Sequence, residues 1–212
     1  MIKKITFVLL IFLTCKSDLS SQVINDTLGF DRFSVGISPS ALINSFSGAQ
    51  VNFNFGITPK LKFVVETGYI FNSVHAKSAS GYRLKYGIEW MLQSRRNGPF
   101  IMGLNGIYRY VTEQRTSTVF YPENYSEIVR FEKTKKLQGF QISLGQYFRL
   151  NQNFKMSYLL GLGMGGISVE DIGDNPVSDF VPFFNFYNRA GKYNYPVISV
   201  NIKYMYTLAR FK

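Results

Sequence analysis

His75 is the only histidine of the chain, and Ser73, Ser78 and Ser80 lie close to it. The first chemistry to weigh is therefore a serine hydrolase, in which an imidazole takes the proton of an attacking hydroxyl. The segment around it, Asn72 to Gly81, is polar and turn-like, and a lone histidine in such a segment is more often a solvated side chain. One histidine and one cysteine, Cys15, cannot assemble a transition-metal site. Asp171, Asp174 and Asp179 offer oxygen ligands for a weakly held Ca²⁺, but without EF-hand spacing. The glycines of Gly161 to Gly166 read as strand rather than as a phosphate-cradling loop. No catalytic residue, no metal and no cofactor is expected.

A second group of residues recurs at every other position between apolar ones. Lys62, Glu66, Arg83, Lys85, Glu89, Arg109, Lys155 and Lys203 fall on the polar face of alternating segments, with Asn52, Asn54, Asn105, Gln141, Ser143 and Asn201. Side chains on a strand flip faces with period two, so these residues would share one surface of a sheet. In a small closed barrel that surface is a lumen just wide enough for side chains to fill. The charges then form either a gated pore or a packed plug, and the plug is the expectation because an unpaired buried charge is costly. The small residues Gly36, Gly56, Gly68, Gly87, Gly103, Gly161 and Gly163 suit a crowded interior.

Strands must position these residues, and the alternation supplies eight. They run near Arg32 to Ser38, Ala49 to Ile57, Leu61 to Phe71, Tyr82 to Trp90, Phe100 to Tyr110, Gln138 to Phe148, Phe154 to Leu162 and Val197 to Phe211. Thr58-Pro59-Lys60 and Leu150 to Asn153 are turns, whereas Thr112 to Lys136 and Glu170 to Asn194 read as long loops. Turns on one rim and longer loops on the other, with both chain ends on the turn side, predict an all-β fold, an eight-stranded antiparallel up-and-down transmembrane β-barrel. Aromatic residues at the strand ends (Tyr69, Phe71, Tyr82, Trp90, Phe100, Tyr108, Tyr110, Phe148 and Tyr206) would sit at the membrane interfaces. A soluble ligand-binding barrel with its apolar face inward has the same periodicity.

Composition agrees with one membrane-facing domain. Aromatics make up 17% of the 212 residues and charged residues also 17%, below the roughly 25% charged of a soluble domain. Lys3 and Lys4 precede an apolar run, Ile5 to Leu13, and Leu19-Ser20-Ser21 is a small-residue cleavage site, so residues 1–21 read as a signal peptide and 22–212 as the barrel. The run is too short to span a bilayer as a helix. Cys15 is discarded with the leader or, on an alternative reading, becomes a lipidated N-terminus. The net charge of +11 favours anionic lipid headgroups or acidic glycans as partners, and no arginine-aromatic platform points to nucleic acid.

The leader, the eight alternating segments, the loop asymmetry and the aromatic C-terminal strand resemble the small OmpA/OmpX-like outer-membrane barrels. The resemblance implies a gram-negative outer-membrane location, an assembly signal in Tyr204, Tyr206 and Phe211 read by the barrel insertion machinery, and a monomer. It implies a non-enzymatic protein, structural or binding a surface ligand or envelope protein through loops 112–136 and 170–194. A narrow channel, a lipid-modifying enzyme and a soluble periplasmic lipid carrier are the alternatives.

Overall fold

The computed structural model describes residues 31–42, 46–73, 76, 78–92, 99–120, 126–172 and 190–211. The expected signal peptide with Cys15, together with His75, Asp174, Asp179 and most of the 170–194 segment, lies outside the described residues. Among the described residues there are eight strands: β1 (Phe33–Ile37), β2 (Phe46–Thr58), β3 (Leu61–Ser73), β4 (Ser78–Leu92), β5 (Phe100–Phe120), β6 (Ser126–Arg149), β7 (Phe154–Ile172) and β8 (Gly191–Ala209). Each pairs antiparallel with its neighbours in chain order, and β1 pairs with β8, so the sheet closes on itself. Every expected strand is found, and most are longer than the alternation suggested.

The largest difference lies at 112–136, expected as a loop. Here β5 and β6 continue as a paired ribbon from Thr112↔Thr134 up to Phe120↔Ser126. The neighbouring strands stop earlier: β4 pairs with β5 no further than Ser78↔Gln114, and β7 with β6 no further than Glu132↔Ile172. The outermost part of the ribbon therefore rises past its neighbours. Likewise the expected Asn72 to Gly81 loop shrinks to residues 74–77 between β3 and β4.

Local chemistry fixes the turn rim. Asn151 Oδ1 accepts the backbone N–H groups of Asn153 (2.9 Å) and Phe154 (2.7 Å), closing the β6–β7 turn, and Thr58 Oγ1 accepts Lys60 N–H (3.2 Å) across the β2–β3 turn. Asx and Ser/Thr turns of this kind replace ladder bonds where the chain reverses. On the other rim a short 3-10 turn, Pro39–Leu42, folds inward, and its Ser40 and Ala41 are buried.

Polarity is inverted relative to a soluble barrel. The polar face is inside: Lys62, Glu66, Glu89, Lys155 and Lys203 are almost completely buried. The apolar face is outside, and on β6, β7 and β8 the cross-strand rows Ile142↔Leu162↔Ile198 and Leu144↔Leu160↔Val200 join into one exposed patch. Ile198 is 71% exposed and Leu162 59%. Inside, apolar residues form separate tiers at the two ends. Met91, Ile101, Tyr147, Leu159 and Met205 cluster toward the turns. Phe46, Ile70, Ala79 and Val111, with a group around Leu137 and Ile167, lie toward the loops.

The lumen is filled as tightly as the glycine positions imply. A Cβ on Gly103 would come within 2.6 Å of Ser143 Oγ and 3.1 Å of Glu89 Cγ, and one on Gly161 within 2.5 Å of Ser199 Oγ. Close approach of the polar side chains opposite excludes larger residues there.

Candidate functional site

The interior is the part of the molecule where charge is concentrated, and strand alternation delivers it there. Lys62, Glu66, Lys85 and Glu89 come from the adjacent strands β3 and β4, whose register sets Lys62 opposite Glu89 and Glu66 opposite Lys85. Lys203 reaches them from β8. Its Nζ lies 2.5 Å from Glu66 Oε1 and 2.9 Å from Glu89 Oε1, while Lys62 sits 2.9 Å from Glu89 Oε2 and Lys85 3.2 Å from Glu66 Oε1. Glu66 Oε2 accepts hydrogen bonds from Gln50 Nε2 (2.6 Å) and Asn201 Nδ2 (2.8 Å). Two carboxylates are thus shared among three ammonium groups, with one lysine common to both. Such mutual compensation is what permits charge in a low-dielectric interior.

Five of the eight charges expected in the lumen meet in this one network. Lys155 does not join it and pairs instead with Asp31, just before β1, and Thr207 Oγ1 donates to the same carboxylate at 2.8 Å. Arg83 and Arg109 face each other across β4 and β5. The Arg83 guanidinium donates to the carbonyl of Phe46, and the Arg109 guanidinium lies 4.5 Å from the centre of the Phe46 ring. Between them and the network is a cavity of about 140 Å³, bordered by Arg83, Lys85, Arg109, Gln141 and Ser199 and by the inturned Ser40.

A second charged group sits near the loop rim, in the segment expected to be a loop. Glu113 is fully buried and lies 2.7 Å from Arg115 and 3.0 Å from Lys135, and Ser73 Oγ donates to it at 2.9 Å. Burial opposes ionisation of Glu113, but Lys135 and Arg115 outweigh it and hold its carboxyl below the usual range. Burial pushes the Lys135 ammonium down to about 8, with Glu113 limiting the fall. Sequence reasoning missed Glu113, Arg115, Lys133 and Lys135 because the charge density of 112–136 masked its period. The signal was present: Val111, Glu113 and Arg115 continue the inward positions of β5, and Phe131, Lys133, Lys135 and Leu137 those of β6.

The expected interface aromatics all lie on the outer face. Tyr82, toward the loop side of β4, stacks with Tyr108 (5.7 Å) and Tyr110 (5.4 Å) at the middle of β5, with Tyr69 and Phe71 exposed nearby on β3. At the other end, Phe148 stacks with Tyr158 (5.7 Å), Phe154 meets Tyr206 edge-on (5.0 Å), and Phe100 and Trp90 complete the row. Tyr204 and Tyr206 point outward from β8. Phe211, grouped with them in sequence, follows the strand and departs from them: its ring approaches Gly56, on the face that carries the buried Asn52 and Asn54.

Among the described residues no three His, Cys, Asp or Glu side chains gather as a metal site. No protein family, curated protein or solved structure matches the chain.

Proposed function

We propose that this chain is a non-enzymatic integral outer-membrane β-barrel protein that presents its loop-side rim to ligands or envelope partners outside the membrane. The observation that carries the reading is the polarity of β5 and β6 along their outer faces. From Phe100 to Tyr110 the outward residues are Phe100, Met102, Leu104, Gly106, Tyr108 and Tyr110, and beyond Tyr110 they become Thr112, Gln114 and Thr116. On β6 the same change runs from Phe148, Gln146, Leu144, Ile142 and Phe140, where Gln146 is the one polar residue and accepts the Tyr158 hydroxyl at 2.8 Å, to Gln138, Lys136, Thr134, Glu132 and Arg130. Ten residue steps at about 3.3 Å, tilted by roughly 40°, give an apolar band on the order of 25 Å tall, the hydrocarbon height of outer-membrane barrels. A soluble monomer rarely exposes an apolar patch beyond roughly 300–600 Å², and here the patch runs around the sheet.

Backbone chemistry supports the same reading. In lipid an open sheet edge leaves unpaired N–H and C=O groups, each costing several kcal/mol, and the β1–β8 pairing removes that edge. A buried ion-paired lumen favours a plug over an open channel, and an apolar exterior disfavours a soluble carrier. Binding work falls to the β5–β6 ribbon and to the segment that joins β7 to β8.

The test is gel migration of protein from a purified outer-membrane fraction, unboiled against boiled. A compact, fast-migrating band that slows on boiling is expected. Recovery in the soluble periplasmic fraction, with no shift, would refute membrane insertion.

A further inference from the structure

We infer that the turn-side rim binds the anionic phosphodiester headgroups of the lipid leaflet it faces. This rests on the membrane insertion proposed above, and it adds which lipid the rim selects and through which residues.

Charge is divided unevenly between the two ends of the ring of strands. The sequence stretches that extend or connect the strands on the loop side (74–77, 111–137 and 167–195) hold eight Asp and Glu against eight Lys and Arg. Those on the turn side (31–32, 58–60, 92–99, 149–153 and 209–212) hold seven Lys and Arg against one acidic residue, Asp31. Asp31 is buried and paired with Lys155, an inward residue of β7, so it is spent inside rather than on the rim. Residues 22–30, which precede it, add one further acid, Asp26. More than half of the net charge of +11 therefore belongs to the turn-side stretches.

Three of these cations are exposed and occupy one sector of the rim: Arg32 enters β1, Lys60 enters β3, and Arg210 follows β8. Each is anchored. The Arg32 carbonyl accepts Gly56 N–H at 2.9 Å, and the Lys60 carbonyl accepts Met91 N–H at 2.8 Å, which ties the β2–β3 turn to β4. The Arg210 guanidinium donates to the Gln152 carbonyl and to Asn153 Oδ1 (3.1 Å) at the β6–β7 turn. Both acceptors are neutral, so these bonds position the guanidinium and leave its charge intact. On the outer face of the same sector, Phe33 lies beside Phe55 (5.0 Å) on β1 and β2, and Tyr206 on β8 meets Phe154. Aromatic rings with cations just beyond them are arranged as at a membrane surface. Attraction to anionic headgroups accumulates over neighbouring Lys and Arg, and a guanidinium grips phosphate oxygens with parallel hydrogen bonds. A soluble acidic ligand would have no use for the outward rings.

The test is electron paramagnetic resonance of the full-length protein folded into phosphatidylcholine vesicles, with spin-labelled phosphatidylglycerol or phosphatidylcholine as the probe. The compact gel form is checked first in the same sample. Phosphatidylglycerol should associate with the protein about threefold more strongly than phosphatidylcholine at low salt, and the preference should fade in about 0.5 M sodium chloride. Arg32→Gln, Lys60→Gln and Arg210→Gln combined should abolish it, whereas Lys136→Gln with Lys192→Gln, on the loop side, should keep most of it. Arg32→Gln with Lys60→Gln leaves the Arg210 contacts to the β6–β7 turn in place and should still lose more than half of the preference, which covers the case in which the triple variant does not fold. Equal association of the two lipids with protein in the compact form, or a preference retained by the turn-side variants, would overturn the inference and leave insertion standing. Absence of the compact form in the vesicles would overturn both.

Discussion

Lys203 is held between two carboxylates that belong to adjacent strands, and this makes it the most exposed point of failure in the interior. Removing one partner of a buried ion pair typically costs about 3–5 kcal/mol because the other charge remains uncompensated. Lys203→Met should lower the unfolding free energy, extrapolated from urea titrations, by an amount in that range, and adding Glu66→Gln to it should recover part of the loss. Additive losses in the double variant would show that the two groups do not share a charge. Gly103→Val tests the packing side of the same region. Its side chain would meet Ser143 and Glu89, so a loss of about 1–3 kcal/mol is expected from overpacking. At the rim, Lys135 releases its proton more readily in the folded chain than in the unfolded one, falling to about 8 from the ordinary 10.5. Between those values the unfolded state binds more protons, so stability should rise as pH increases through that window. Lys135→Gln should remove this rise from a series of urea titrations across pH 7.5–10.5. Alternation in the sequence placed Lys62, Glu66, Lys85, Glu89 and Lys203 on one face. It did not reveal that Lys155 would choose Asp31, since that pairing joins residues 124 positions apart through ring closure.

At the scale of elements, the sequence reading was most accurate where one face is apolar and one polar, as in β3 and β4. It failed at 112–136, where the outer face is polar and the inner face mixes charged with apolar residues: the outward Thr112, Gln114, Glu132 and Thr134 hide the period that Val111, Glu113, Phe131 and Leu137 keep. A ribbon that rises past the apolar outer face loses the contrast by which strands are recognised, though its β-branched residues Thr116, Thr118 and Val119 still favour extended backbone. Past Gln114 on β5 and before Glu132 on β6, the described strands pair only with each other. An isolated two-stranded ribbon is marginally stable in water. Backbone amides of Thr116 to Phe120 should therefore exchange with deuterium at least a hundredfold faster than those of Phe100 to Tyr110, as measured by mass spectrometry of the folded protein. Equal protection would mean that another part of the chain covers the ribbon.

For the molecule as a whole, the proposed membrane insertion makes the height of the apolar band the quantity that decides which bilayer it would fit. A band near 25 Å, as on β5, matches short acyl chains better than long ones, and mismatch carries a cost of fractions of a kcal/mol per Å. Urea-unfolded protein should regain its compact gel form faster in vesicles of ten- or twelve-carbon acyl chains than in vesicles of eighteen-carbon chains. A rate independent of chain length would count against insertion through that band.

The seam between β1 and β8 sets the order in which the ring is made. β1 spans only Phe33–Ile37, and its ladder with β8 shifts register between Phe33 and Ser34, whereas β5 and β6 pair along their full lengths from Phe100↔Gln146 to Phe120↔Ser126. Joining Phe33 to Ala209 brings together residues from opposite ends of the described chain, so its entropic cost is met last, after the hairpins that need only local closure have formed. Assembly then ends with a zipper of few teeth, and the same short zipper is where a stretched ring would part first.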